Sequence, residues 1–106
     1  RLARLVDWRY LEDELGFLFK AESSPPLRLV LGLLYLQSIE NLSFTEVINK
    51  WKKTPEWQYF CGQENLTDEF PLHDASLSIW SRAVGSHGRG TMINALASLR
   101  QSKKLH

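Results

Sequence analysis

The side chains in this 106-residue chain that could do chemistry are few, and they are poorly spaced for catalysis. His73, His87 and His106 never pair at the short spacings that a helical zinc site uses. His73 beside Asp74 has the makings of a base with its orienting carboxylate, although a loop histidine next to a helix cap accounts for the pair more simply. Cys61 follows Phe60 on a predicted inner face, where a thiol is inert. Glu64, Asp68 and Glu69 could gather around a divalent cation, but they lack the loop pattern of a calcium hand and read as a solvated acidic loop. The run Gly85-Ser-His-Gly-Arg-Gly90 has the glycines of a phosphate cradle without the preceding strand or the Gly-Lys-Ser/Thr ending. No enzyme is visible in these residues, and neither a cofactor nor a small-molecule substrate is expected for this chain.

Binding is better served. Ser, Arg and Lys on exposed helix faces contact phosphates, and an Arg on a helix in the major groove can read guanine. The helix carrying Ser76, Ser78, Ser81 and Arg82 has the shape of a recognition helix, with Lys50, Lys52, Lys53 and Arg89 as backbone clamps. The same residues also fit an ordinary solvated surface. Trp8, Trp51, Trp57 and Trp80 all fall on apolar stripes, which makes them core before they are platforms for bases.

Charge is distributed unevenly beneath a net value of only +1. Residues 54–74 hold five acids and no Lys or Arg, whereas residues 75–106 hold five bases and no acid. Such a one-signed third is an electrostatic footprint for an anionic partner, or else a solvated basic face ending in a basic tail. One cysteine excludes an internal disulfide and a multi-cysteine zinc site, which suits a reducing cytoplasm. The chain opens on Arg1, as a processed or excised chain would, and no signal pattern follows. Its most apolar run, Leu27 to Leu36, is interrupted by Arg28 and falls short of the ~20 residues that span a bilayer. A soluble protein without a membrane partner is expected.

The elements that must position these side chains are helices, since no strand alternation is sustained. Asp7 caps a predicted helix over about residues 8–19, with Trp8, Leu11, Leu15 and Leu18 as its buried stripe. Ser24 supplies the cap oxygen and Pro25-Pro26 the first turn of the next, which runs from Leu27 to about Ile39. That helix is apolar nearly all round and belongs at the centre. Gly32 within it costs about 1 kcal/mol against Ala and marks a close crossing. Ser43-Phe-Thr-Glu46 is a capping box opening a third helix to Lys52 or Lys53, with Phe44, Val47, Ile48 and Trp51 inward. Thr54-Pro55 stops it and starts a fourth, which Gly62 ends; Trp57, Phe60 and Cys61 share its inner face. The short joint gives a helix-turn-helix-like corner. Residues 63–73 form a polar connection with Leu66 and Phe70 tucked in. Asp74 then caps a fifth helix to Val84, with Leu77, Trp80, Val84, Ile79 and Ala83 inward and Ser78, Ser81 and Arg82 outward. Gly85 to Gly90 is a flexible loop, and Thr91 opens a last helix with Met92, Ile93, Leu96 and Leu99 inside. Residues 1–106 thus read as one all-α domain, a compact bundle of about six helices with its core over about 8–99.

One stretch is specific enough to suggest a family. Pro55-Glu-Trp-Gln-Tyr-Phe-Cys-Gly62 follows Pro26-Leu-Arg-Leu-Val-Leu-Gly-Leu-Leu-Tyr-Leu-Gln37, Asn41-Leu-Ser43, Glu46-Val47 and Trp51. Phe70-Pro71, Asp74-Ala-Ser-Leu77 with Trp80 and Arg82, and Gly85 with Gly88 come after it. In this order the words resemble the N-terminal domain of InsH-type insertion-sequence transposases, bacterial mobile-element enzymes of the DDE class. The resemblance runs from about Trp8 to Gly88 and more loosely to Leu99. It implies a helical domain ahead of an RNase H-like catalytic domain whose three carboxylates hold divalent metal ions. That second domain is absent from this chain, so no catalytic residue carries over, and any divalent metal belongs to the missing part. The resemblance further implies binding of double-stranded DNA at the element's ends during assembly of the transposition complex. The alternative is a protein-interaction module that dimerises the transposase or braces its catalytic domain. After Asp74-Ala-Ser-Leu77 the family usually carries two or three bases on the helix, where this chain keeps Arg82 alone.

Overall fold

A central helix of leucines organises the whole molecule. The computed structural model describes residues 6–73 and 75–104, with the backbone alone from residue 96 onward. Among the described residues the order is α1 (Trp8–Leu15), a 3-10 turn (Gly16–Phe19), α2 (Leu27–Glu40), α3 (Phe44–Lys53), α4 (Pro55–Phe60) and α5 (Ser76–Lys104). Gly85 interrupts α5 with non-helical angles, φ 67° and ψ −177°, leaving a first arm over 76–84 and a second over 86–104. The all-α bundle is as expected, and the two arms bring the number of helical segments to the predicted six. None of these helices is long and apolar enough to cross a membrane.

From Leu29 to Leu36 every residue of α2 is buried, and the other helices pack around it. The crossing predicted at Gly32 is present: a Cβ there would lie 2.8 Å from the Cys61 sulfur. Cys61 is therefore sealed against α2, and burial pushes its thiol up to about 12 from an ordinary 9.0. Two outcomes follow. A water-soluble disulfide reagent at pH 8 should leave the folded chain untouched and label it on unfolding in urea; rapid native labelling would contradict the burial. Stability should also fall as pH rises from 9 towards 12, because the unfolded thiol loses its proton first.

The helix ends show where local sequence governs. Asp7 Oδ1 accepts from the Tyr10 amide at 3.1 Å, and Ser43 and Glu46 complete the capping box in both directions. The Ser43 amide, donating to the Glu46 carboxylate, and the Ser43 side chain beside it hold that carboxyl below its usual range. Gly62, at φ 87°, is the left-handed stop of α4. Ser24 does not cap α2: the N-cap is Pro26, extended at φ −60° and ψ 135°, and no side chain bonds the first turn. The second proline moves the helix start beyond the reach of Ser24. At the other end of α2 Asn41 adopts the left-handed conformation, φ 55° and ψ 53°.

Two polar side chains tie elements together across the core. Arg28, on α2, donates from Nε to the Phe60 carbonyl at 3.0 Å and from Nη2 to the Tyr59 carbonyl at 3.1 Å. It thereby satisfies open carbonyls at the end of α4 while lying 4.8 Å from the Trp8 ring. Gln58 is 2% exposed and donates to the carbonyls of Trp51, Lys52 and Thr67 while accepting from the Thr67 amide. One amide thus closes the end of α3 and pins the acidic connection to the corner at Thr54.

Several side chains point differently from the sequence expectation. Leu66 is 52% exposed instead of tucked in, whereas Phe70 does pack, edge-on to Trp51 at 5.5 Å. Residues 86–90 are helical, not a loop, because the break is confined to Gly85 and Thr91 bonds back to the His87 carbonyl at 3.0 Å. Gly88 permits this packing, since a Cβ there would meet Val84 Cγ1. Met92 is buried but Ile93 is exposed, while the Leu96 and Leu99 side chains lie outside the described residues. Asp74, the expected cap of α5, also lies outside them; beside it the Ala75 amide donates to His73 Nδ1 at 3.2 Å.

Candidate nucleic-acid interface

The first arm of α5 is positioned by its inner face. Leu77 and Val84 are buried, and Trp80 stacks on Phe19 with centroids 4.6 Å apart. Ser81, expected outside, is also buried, and its Oγ accepts from Arg89 Nη2. Ile79 and Ala83, expected inside, are exposed. The inner side of the arm is set by Trp80, which stacks on Phe19, and by Ser81, which gains Arg89 as a partner there.

The eight candidate side chains consequently divide. Arg82 is exposed. Ser76 and Ser78 are half-buried, and the Ser78 hydroxyl donates to the Ala75 carbonyl at 3.0 Å. Ser81 is buried and Arg89 half-buried, and the two face each other. The Arg89 Nε is buried without a partner in a seam lined by Leu31, Leu34, Tyr35, Ser38, Val84, Met92 and Ile93. That seam measures only about 10 Å³, the space of a single water, so it is not a ligand pocket.

On α3, Lys50 is held 2.9 Å from Glu40 and 4.9 Å from the Trp57 ring. An exposed pair of this kind contributes little to stability, at most about 1 kcal/mol, but it does occupy the ammonium. Lys53 is exposed and Lys52 half-buried; both line an open groove of about 460 Å³ with Leu66, Thr67 and Asp68. The structure therefore brings Ser76, Ser78 and Arg82 onto one arm and Lys52 with Lys53 at the Thr54 corner. It does not gather all eight. Sequence reasoning overlooked Ile79 as a surface residue, and the one available signal was the Ser at position 81 that could replace it on the inner side.

Among the described residues no group of three or more His, Cys, Asp or Glu could hold a metal ion. The Trp51 indole nitrogen is buried without a regular hydrogen bond and approaches the Cys61 thiol.

Residues 1–83 match a family model described as a transposase domain, DUF772. Over 97 residues the chain is 31% identical to an uncharacterized protein of Rhizobium meliloti, ORF8 in the nfe locus. The match covers 90% of this chain and 47% of that protein, so the chain spans about half the length of the curated relative it matches. No solved structure matches the chain.

Proposed function

Because the chain belongs to the DUF772 transposase-domain family, we propose that it is the part of a transposase that binds the ends of the mobile element and helps assemble the transposition complex. In this reading it holds double-stranded DNA and contributes no catalytic group to strand transfer. The observation that carries it is the exposed Arg82 on a helical arm within a segment, residues 75–106, that has no acid. Phosphates approaching this face meet no carboxylate from the segment, and a cation there gains from counterion release. Lys53 and Lys52 at the Thr54 corner supply the second anchoring point.

A gel shift on the parent element's terminal repeats tests the reading. Binding should exceed that to scrambled duplex at low salt. With Lys52 and Lys53 on phosphates, log affinity should fall with log salt at a slope of about −2. Equal binding to scrambled duplex would sink recognition of the ends.

The alternative, a module that joins transposase subunits or braces the catalytic domain, draws on the exposed Ile39, Ile79 and Ile93. Light scattering over a concentration series distinguishes it: a strict monomer at high concentration argues against self-association.

A further inference from the structure

The outward face of the first arm of α5 differs in chemistry from a plain phosphate-binding face. Ile79, Arg82 and Ala83 stand at i, i+3 and i+4, all three are exposed, and Ile79 is exposed to 62%. The serines do not share this stripe on equal terms: Ser81 is buried, and Ser78 is half-buried and bonded to the Ala75 carbonyl. A protein-binding hot spot is typically built on Trp, Tyr or Arg at the packed centre of a patch; here Arg82 has only Ile79 and Ala83 beside it on the stripe, and the arm's aromatic residue, Trp80, is turned inward onto Phe19. The floor of the DNA major groove, in contrast, offers the two groups that this stripe complements. Guanine presents O6 and N7 to a guanidinium fork, and thymine presents a methyl to an apolar side chain.

We infer that this stripe reads a guanine one or two steps from a thymine in the major groove, with Arg82 on the guanine edge and Ile79 with Ala83 against the thymine methyl. The inference rests on the DNA-binding reading proposed above. Helical neighbours three or four residues apart have Cβ atoms about 5–6 Å apart. Base pairs are stacked at about 3.4 Å, so the guanine and thymine lie one or two steps apart. The acid-free sequence of residues 75–106 lets such a helix approach the phosphates that flank the groove.

The test uses the 106-residue chain and a pool of random 20-base-pair duplexes, selected at low salt. Enriched duplexes should align on one guanine and one thymine at a single fixed spacing of one or two steps, more often than in the unselected pool. Replacing that thymine by deoxyuridine removes one methyl and should weaken binding roughly fourfold. Ile79→Ala should bind the thymine and uracil duplexes alike. Arg82→Lys keeps the charge but not the fork, so it should lose about tenfold or more in preference for guanine while retaining the salt slope. Because these side chains are exposed, the variants should keep the parent's circular dichroism.

Equal affinity of the parent chain for thymine and uracil duplexes overturns the inference and leaves the DNA-binding reading standing. So does an Ile79→Ala variant that retains the thymine preference, including one that turns a dimer into a monomer, which would assign the stripe to a protein contact. Failure to bind any duplex at low salt overturns both readings.

Discussion

Trp51→Ala is expected to cost about 3–5 kcal/mol of unfolding free energy, the range for deleting a large buried aromatic. Trp51 has no exposed surface and carries Phe70 against its ring, so truncation empties the corner between α3, α4 and the acidic connection. A domain of this size holds only about 5–15 kcal/mol in total. The melting temperature should drop by roughly 15 °C or more, or the fold be lost at 37 °C. Trp51→Phe should stay closer to the parent, because it retains most of the ring contacts and removes an indole donor with no regular partner. Urea unfolding followed by circular dichroism measures both. A loss below about 1 kcal/mol for the alanine variant would show that the corner closes over the gap.

Gln58→Leu is expected to cost about 2–4 kcal/mol despite its similar volume and greater hydrophobicity. The substitution strands the Thr67 amide and the carbonyls of Lys52 and Thr67, while the Trp51 carbonyl keeps the Thr54 amide, and an unmet buried polar group costs about 1–3 kcal/mol. Gln58→Glu keeps the shape and the acceptor for Thr67 but turns a carboxylate towards carbonyl oxygens. Its carboxyl should therefore titrate above an ordinary glutamate, and the folded state should bind that proton more tightly than the unfolded one. The sign follows: this variant should gain stability relative to the parent as pH is lowered from 8 to 5, and lose it on return. Chemical denaturation at the two pH values checks it, and a pH-independent difference would mean that Gln58 is less enclosed than its contacts imply.

These two residues also mark the boundary of what could be read without coordinates. Ser43 with Glu46, the leucines of α2, Gly32 and Gly62 act through neighbours in sequence or through a uniform apolar face, and each was legible. Gln58 and Arg28 were not, because their partners are carbonyls lying 6 to 9 and 31 to 32 residues away, and a carbonyl has no sequence signature. The outward face of α5 was misjudged for a related reason. A helical pattern with Ile79 inward and Ser81 outward fits hydrophobicity alone, whereas the observed rotation depends on Phe19 meeting Trp80 and on Arg89 reaching Ser81. Ser86 to Gly90 looked like a loop because two of its five residues are glycine, yet tertiary packing outweighs a penalty of about 1 kcal/mol for each.

Arg82 and Arg89 are seven residues apart, two turns of a regular helix, and an unbroken α5 would set both guanidinium groups on the same side. The angles at Gly85 fall in a region essentially reserved for glycine, and they shift the phase between the two arms. One arginine stays in solvent while the other is carried into the seam beside Ser81. A residue with no side chain thereby decides how many of the two arginines the surface displays.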